Sequence, residues 1–285
     1  MNKNLIAVLA ATTMTASIAA VDFTGNYEGT FTDGNPGAAT YTQDLDLKMV
    51  GTSGESKVTV MMEDLTGGST VTANQVFVET SIEGLGLKAG NYKNQNGSGL
   101  MQKKSAVTNQ FEVGTTVAGA SLTLGQVSGD SQTTVDASMD IAGMNVNVQN
   151  VSASDRFITI VANFFGLGTT VETQETAVGR NTALSANATV AGLDVTTVVV
   201  DVNDATAVTQ DDGILGDISS ANNGDTVVGG VVSTAMSIGT VTGKMYDIND
   251  AKTYVAEIER GALTVGYAKT DNLDGVTTAE VNVAF

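Results

Sequence analysis

The chain has 285 residues, with 31 acidic against 13 basic side chains, a formal net charge of −18, a single proline, and no histidine, cysteine or tryptophan. Without histidine or cysteine, Ser-His-Asp and Cys-His catalysis, thiolate chemistry, disulfides and histidine-based zinc sites are all excluded. The acid excess argues against nucleic acid as a partner, because phosphate backbones are held by basic side chains.

Residues 1–19 read as a secretory signal. Lys3 supplies a weak positive start, Leu5 to Ala11 an apolar run, and Ser17-Ile18-Ala19 a small-x-small cleavage pattern. The remainder, 20–285, reads as one domain. No later segment approaches the roughly eighteen consecutive apolar residues of a membrane-spanning helix. Membrane-spanning strands stay open, since they alternate and average out along the chain.

Alternation with period two runs from end to end. Val21, Phe23, Gly25, Tyr27, Gly29 and Phe31 face one way, and Asp22, Thr24, Asn26, Glu28 and Thr30 the other. A turn at residues 32–37 holds the only proline, Pro36, outside any paired strand. Tyr41, Leu45, Leu47 and Met49 then oppose Asp44, Asp46 and Lys48; Val58, Val60 and Met62 oppose Lys57, Thr59 and Glu63; Val76, Val78 and Ile82 oppose Gln75, Glu79 and Ser81. Val135, Ala137, Met139 and Ile141 alternate with Asp136, Ser138 and Asp140, and Ala142-Gly143 turns tightly into Met144, Val146 and Val148. Leu184, Ala186, Ala188 and Val190 oppose Ser185, Asn187 and Thr189. The last segment sets Ala279, Val281, Val283 and Phe285 against Thr278, Glu280 and Asn282. Its length matches the 9–11 residues, approximately, of a tilted strand crossing a bilayer. A strand of about ten residues with a connection of about six or seven gives about sixteen strands, and sixteen to eighteen segments are visible. The expected fold is all-β: a transmembrane, antiparallel, up-and-down β-barrel.

In such a barrel the polar faces line the interior. The candidate pore-lining acids are Glu28, Asp44, Asp46, Glu63, Glu79, Asp136, Asp140, Glu172, Glu257 and Glu280. Rings of carboxylates attract cations and repel anions. Lys88, Lys93, Lys103 and Lys104 form the densest basic group, in and beside the segment after Tyr92. Folded inward, that segment would set these lysines against the carboxylates; folded outward, it is an exposed basic loop. The stretch from Val202 to Asp225 has little periodicity and reads as a long surface loop. Its aspartates, with Asp204, Asp211 and Asp212 as weak calcium candidates, do not match an EF-hand spacing. Gly25, Gly29 and Gly125 read as outward glycines that would permit close subunit packing. Residues 166–245 hold no aromatic residue, where barrels ordinarily carry girdles. No cofactor is implied.

The order of segments is similar to that of bacterial general porins. Val21-Asp22-Phe23-Thr24-Gly25-Asn26-Tyr27 resembles their first strand. The hairpin from Leu45-Asp46-Leu47-Lys48 to Met62 resembles their second. Gly84-Leu85-Gly86-Leu87-Lys88-Ala89-Gly90-Asn91-Tyr92 looks like their strand before the constriction loop. Leu263-Thr264-Val265-Gly266-Tyr267 resembles a late barrel strand. The resemblance implies a homotrimer in outer-membrane lipid, passing small hydrophilic solutes and ions, with Phe285 as the signal for barrel assembly. The segment between Lys93 and Asn109 lacks the long acidic loop of the classical type. The competing expectation is an exported β-rich structural subunit, of a surface layer, filament or virion coat, which would bury its apolar faces between two sheets.

Overall fold

A computed structural model of the chain describes residues 20–34, 39–63, 65, 73–94, 97–101, 107–129, 133–150, 155–205 and 221–284. The signal segment, Phe285, Lys103, Lys104, Asp211 and Asp212 lie outside the described residues.

Eighteen antiparallel strands form one sheet. They are β1 (Ala20–Gly34), β2 (Thr40–Ser53), β3 (Ser56–Met62), β4 (Gln75–Ile82), β5 (Leu85–Tyr92), β6 (Thr108–Val117), β7 (Ala120–Val127), β8 (Thr133–Ile141) and β9 (Met144–Asn150). The circuit continues through β10 (Arg156–Phe164), β11 (Leu167–Glu175), β12 (Arg180–Val190), β13 (Leu193–Asp201), β14 (Thr226–Met236), β15 (Gly239–Ile248), β16 (Ala251–Arg260), β17 (Leu263–Thr270) and β18 (Val276–Ala284). Each strand pairs with the next, and β18 pairs with β1 from Gly34↔Val276 to Asn26↔Ala284, so the sheet closes into a barrel without an edge. Eighteen is the upper end of the sequence expectation. The extra strands fit because every connection at one end is only two residues long.

That turn end is built for the hairpin twist. Glu83-Gly84, Ala118-Gly119, Ala142-Gly143, Phe165-Gly166 and Ala191-Gly192 each hold both residues at positive φ, as type I′ turns require. At Gly143 φ is +82° and nothing lies within 4 Å of a notional Cβ, so glycine is there for its backbone and not for space. The other end of the barrel carries the longer connections, including 93–107 and 202–225.

The strand registers sort every side chain to one of two faces. Around the whole circuit Asp136 lies beside Gln149, Glu172 beside Thr159, and Glu28 beside both Asp44 and Asn282, all on one face. Leu184 lies beside Val199 and Val171, and Val281 beside Leu263 and Gly29, on the other. The chain that follows β5 packs against β10–β15 on the first face, which is therefore the inner one. Among the described residues the outer face is Val, Leu, Ile, Phe, Tyr, Ala, Gly, Thr and Met through its middle. Its charges stand only near strand ends: Asp33, Arg156, Glu175, Arg180, Asp201, Asp247, Lys252 and Lys269 toward the loop end, and Arg260 at the turn end. Exposed outward residues such as Phe23, Ile141, Leu184, Val232 and Ile258 make this a continuous apolar belt, far larger than a soluble monomer carries.

One outward expectation is corrected. Gly125 faces inward, between Leu124 and Gln126 on the outer side, and a Cβ there would stand 2.5 Å from Thr134 Oγ1 and 3.3 Å from Glu112 Cγ. Gly29 is outward, but the rings of Tyr27 and Tyr41 cover it; their hydroxyls lie 2.7 Å apart.

The Ala142-Gly143 turn makes a testable difference between its two positions. Gly143→Val should destabilise the barrel by about 1–2 kcal/mol, the cost of left-handed backbone for a side-chain-bearing residue, while Ala142→Gly should be neutral or slightly stabilising. Urea unfolding in detergent micelles measures both.

Candidate functional site

The inner wall is chemically divided. From β1 to β8, and again over β15–β18, it is polar and mostly acidic. Asp44 and Asp46 on β2 face Glu28 and Asn26 on β1; Asp136 and Asp140 on β8 face Gln149 and Asn145; Glu257 and Glu280 lie on β16 and β18. All ten acids singled out in the sequence fall on this one face, Glu63 at the mouth immediately after β3 and the other nine within strands. Sequence reading missed Glu112, which sits on the same face of β6 beside Lys88 and accepts a hydrogen bond from Asn94 Nδ2 at 2.7 Å. The signal was present: Gln110, Glu112 and Gly114 alternate with Phe111 and Val113.

Inward lysines partly offset the acids. Lys57 Nζ lies 3.0 Å from Glu79 Oε2, and Lys244 Nζ 3.1 Å from Glu257 Oε2. These pairs are partly exposed, so each contributes little to stability. Their role is to set the local field.

Toward the loop end of β10 and β12–β14 the inner wall carries an apolar patch. Phe157, Ala183, Val198, Val200 and Val227 point inward, and chain from the segment after β5 covers them. Leu100 and Met101 complete that cluster, with Ala221 and Ile248; Met101 and Phe157 are fully buried. Gly97 N donates to Gln149 Oε1 on β9 at 2.8 Å, and Ser98 N donates to Glu172 Oε2 on β11. Thr159 Oγ1 also donates to Glu172. This carboxylate therefore serves as an acceptor for an inbound loop: it is 0 % exposed, unlike the other acids of the set. Gly97 has φ +55°, and a Cβ there would sit 2.4 Å from Glu172 Oε2 and 2.7 Å from Phe157 Cδ1, so only glycine fits under the carboxylate.

The described part of the segment after Tyr92 thus crosses to the far wall, and what it brings there is apolar and backbone-donating rather than basic. Lys88 is not in that loop. It stands on β5, with its ammonium 4.0 Å from the Tyr92 ring centroid and 4.8 Å from that of Phe77. Lys93 sits at the base of the loop, where Nζ meets Glu63 Oε2 at 3.0 Å. Burial would push the Glu63 carboxyl up, but hydrogen bonds from Lys93, Gln75 and Asn74 outweigh it and hold it below the ordinary value.

Of the calcium candidates, Asp204 alone lies among the described residues. Asp204 is buried and already bound: Thr176 Oγ1 donates to its Oδ2 at 2.7 Å, and its N–H donates to Asn181 Oδ1 at 2.7 Å. Asn181 also holds Asn203 N and Gln174, and Gln174 reaches Asp155, so this network anchors the base of the long loop. Among the described residues no three acidic groups converge on a common metal position.

The fit under Glu172 yields a direct test. Gly97→Val should detach the loop from the wall and speed tryptic cleavage after Lys93 by tenfold or more in the folded, detergent-solubilised protein. Wild-type protein, with Met101 buried, should resist cleavage there.

No protein-family model matches the chain, and no curated protein matches it. Solved structures do. The chain is similar to Pseudomonas aeruginosa OccK2 (OpdF), with a TM-score of 0.63 at 12% identity over 95% of this chain and 99% of that one. It is similar to Acinetobacter baumannii OccAB3, with a TM-score of 0.60 at 10% identity over 94% and 100%. A mutant of the Rh. blastica porin matches with a TM-score of 0.55 at 14% identity over 93% and 100%. The chain has the closed antiparallel barrel fold of bacterial outer-membrane porins.

Proposed function

We propose that the protein is a bacterial outer-membrane channel through which small hydrophilic solutes diffuse passively, with a preference for cations. One observation carries this reading: the registers put the ionisable side chains of mid-strand inside the barrel and leave a charge-free belt outside. A sheet with that distribution is at rest only with lipid outside and water inside, because a bare belt of this kind would aggregate in water. A two-sheet structural subunit would instead bury its apolar faces against each other; here they point outward around the whole circuit.

Selectivity would come from field and width, not from bond chemistry. The loop pinned on Glu172 covers the loop-end part of the β10–β14 wall, which would narrow the pore there toward the acidic wall of β1–β8 and β15–β18. The acids there outnumber the lysines, so cations would be enriched. The turn end would face the periplasm and the longer loops the exterior. The proposal includes export by residues 1–19, assembly read from Phe285, and a homotrimer, which the barrel resemblance suggests. Cross-linking of the protein in its native membrane tests the trimer: a three-subunit band supports it, and monomers alone contradict it.

Two outcomes follow for the protein in lipid. On β9, Val146→Lys should cost about 2–4 kcal/mol of folding stability, as for a lysine near the bilayer midplane, while Asn147→Lys, one residue on and inward, should cost far less. In a planar bilayer under a salt gradient, wild-type protein should give large steady conductance steps with a cation-selective reversal potential. Combining Glu28→Gln, Asp44→Asn and Asp46→Asn should move that potential toward zero. A protein that stays soluble without detergent and conducts nothing would contradict the channel.

A further inference from the structure

Four adjacent strands carry an alternating row of charge across the inner wall. Lys57 on β3 lies opposite Glu79 on β4, Glu79 opposite Lys88 on β5, and Lys88 opposite Glu112 on β6. Immediately toward the turn end the wall is hollow. Gly86 on β5 and Gly114 on β6 face each other directly, with Ser81 and Thr123 on either side.

The backbone does not require glycine at these two positions. Neither has a positive φ, and a Cβ at Gly86 would meet only the Gly114 carbonyl, at an ordinary 3.7 Å. A Cβ at Gly114 would touch Thr123 Oγ1 at 3.3 Å. What the two glycines create is space. The recess holds about 250 Å³ and is bounded by Glu79, Lys88, Glu112 and Thr123 as well as by the glycines. At ~30 Å³ per water, that volume suits a solute of about eight heavy atoms.

Of the charges at its rim, Glu79 is paired with Lys57, while Lys88 and Glu112 are turned to other partners. Lys88, though flanked by two glutamates, rests its ammonium on the Tyr92 and Phe77 rings, whose centroids are 5.5 Å apart. Cation–π contact engages one side of the ammonium without neutralising its charge. Glu112 is turned to Asn94 and Glu79 to Lys57. A cation and a carboxylate, Lys88 and Glu112, thus flank the hollow from neighbouring strands whose backbones lie about 5 Å apart.

We propose that this recess is a binding subsite for small zwitterionic solutes of the free amino-acid type: Lys88 takes the carboxylate, Glu112 takes the ammonium, and the Gly86–Gly114 hollow takes the side chain. A simple anion would meet the flanking glutamates, and a simple cation would meet Lys88, so a dipolar solute gains over both. The subsite rests on the channel reading and deepens it.

The test is reversible current blockade in single-channel recordings, using L-threonine against lactate, ethanolamine and glycerol. L-threonine should reduce the current saturably, with an apparent affinity at least tenfold above the other three. Lys88→Gln and Glu112→Gln, which remove the charge and keep a polar side chain, should each weaken that affinity tenfold or more. Gly114→Leu, checked for folding by heat-modifiable gel mobility, should abolish saturation. Conductance with no saturable effect of L-threonine, or a blockade that both glutamine variants retain, overturns the subsite alone. Absence of conductance overturns the channel on which it rests.

Discussion

Closure of the sheet is the constraint on which the rest of the molecule depends. Every strand has two hydrogen-bonded neighbours only because β18 returns to β1, Tyr27↔Val283 and Phe31↔Ala279 among its pairs. In a hydrocarbon environment an unpaired backbone amide or carbonyl costs several kcal/mol, and a strand edge carries a row of them. Once the ring is closed, the backbone is satisfied whatever the side chains are. The side chains are then free to be sorted by one rule, that odd and even positions of a strand face opposite solvents. The absence of cysteine costs nothing in such a design, because the ladder itself supplies the staples.

Closure also creates an interior, and the interior is not uniform. A ring of purely acidic inner wall would repel itself and hold a wide column of water. Here β10 and β12–β14 carry an apolar patch near the loop end, and chain from the opposite side of the barrel folds onto it through Leu100 and Met101. The contact is anchored by a few polar bonds at its edge, from Gly97 to Gln149 and from Ser98 to Glu172. The charged lining of β1–β8 and β15–β18 is left uncovered. Apolar burial thus decides where the loop goes, and the loop decides which charges meet solute.

How much of this was legible in the sequence follows from the range of each interaction. Period-two alternation is local, so the faces of Asp136, Val135, Asp46 and Leu45 could be read directly, and the registers place the predicted acids together on one side. Turn chemistry is local too, and Ala142-Gly143 announced its hairpin. The strand count was less sharp because it depends on connection length, and two-residue turns such as Phe165-Gly166 leave little mark between flanking apolar residues. Gly125 was misassigned because a glycine has no side chain to declare its face; only the position of Leu122 and Leu124 settles it. The loop was opaque for a different reason. Gly97, Leu100 and Met101 look like ordinary loop residues until Phe157, Glu172, Val198 and Val227 are brought beside them, and those partners lie 56 or more residues away in the chain. Glu172 carried the signal of an acid on a polar face, which says nothing of whether water or a backbone amide will meet it.

The central claim is that one face of every strand meets lipid and the other meets water. The chain has no cysteine, so single cysteines can be placed one at a time along β8, from Val135 to Asp140, in protein reconstituted into lipid vesicles. A membrane-impermeant, water-soluble thiol reagent should then modify positions 136, 138 and 140, while a fluorophore at 135, 137 and 139 should be quenched by brominated lipid. Uniform reactivity along the strand, or the inverse alternation, would contradict the account.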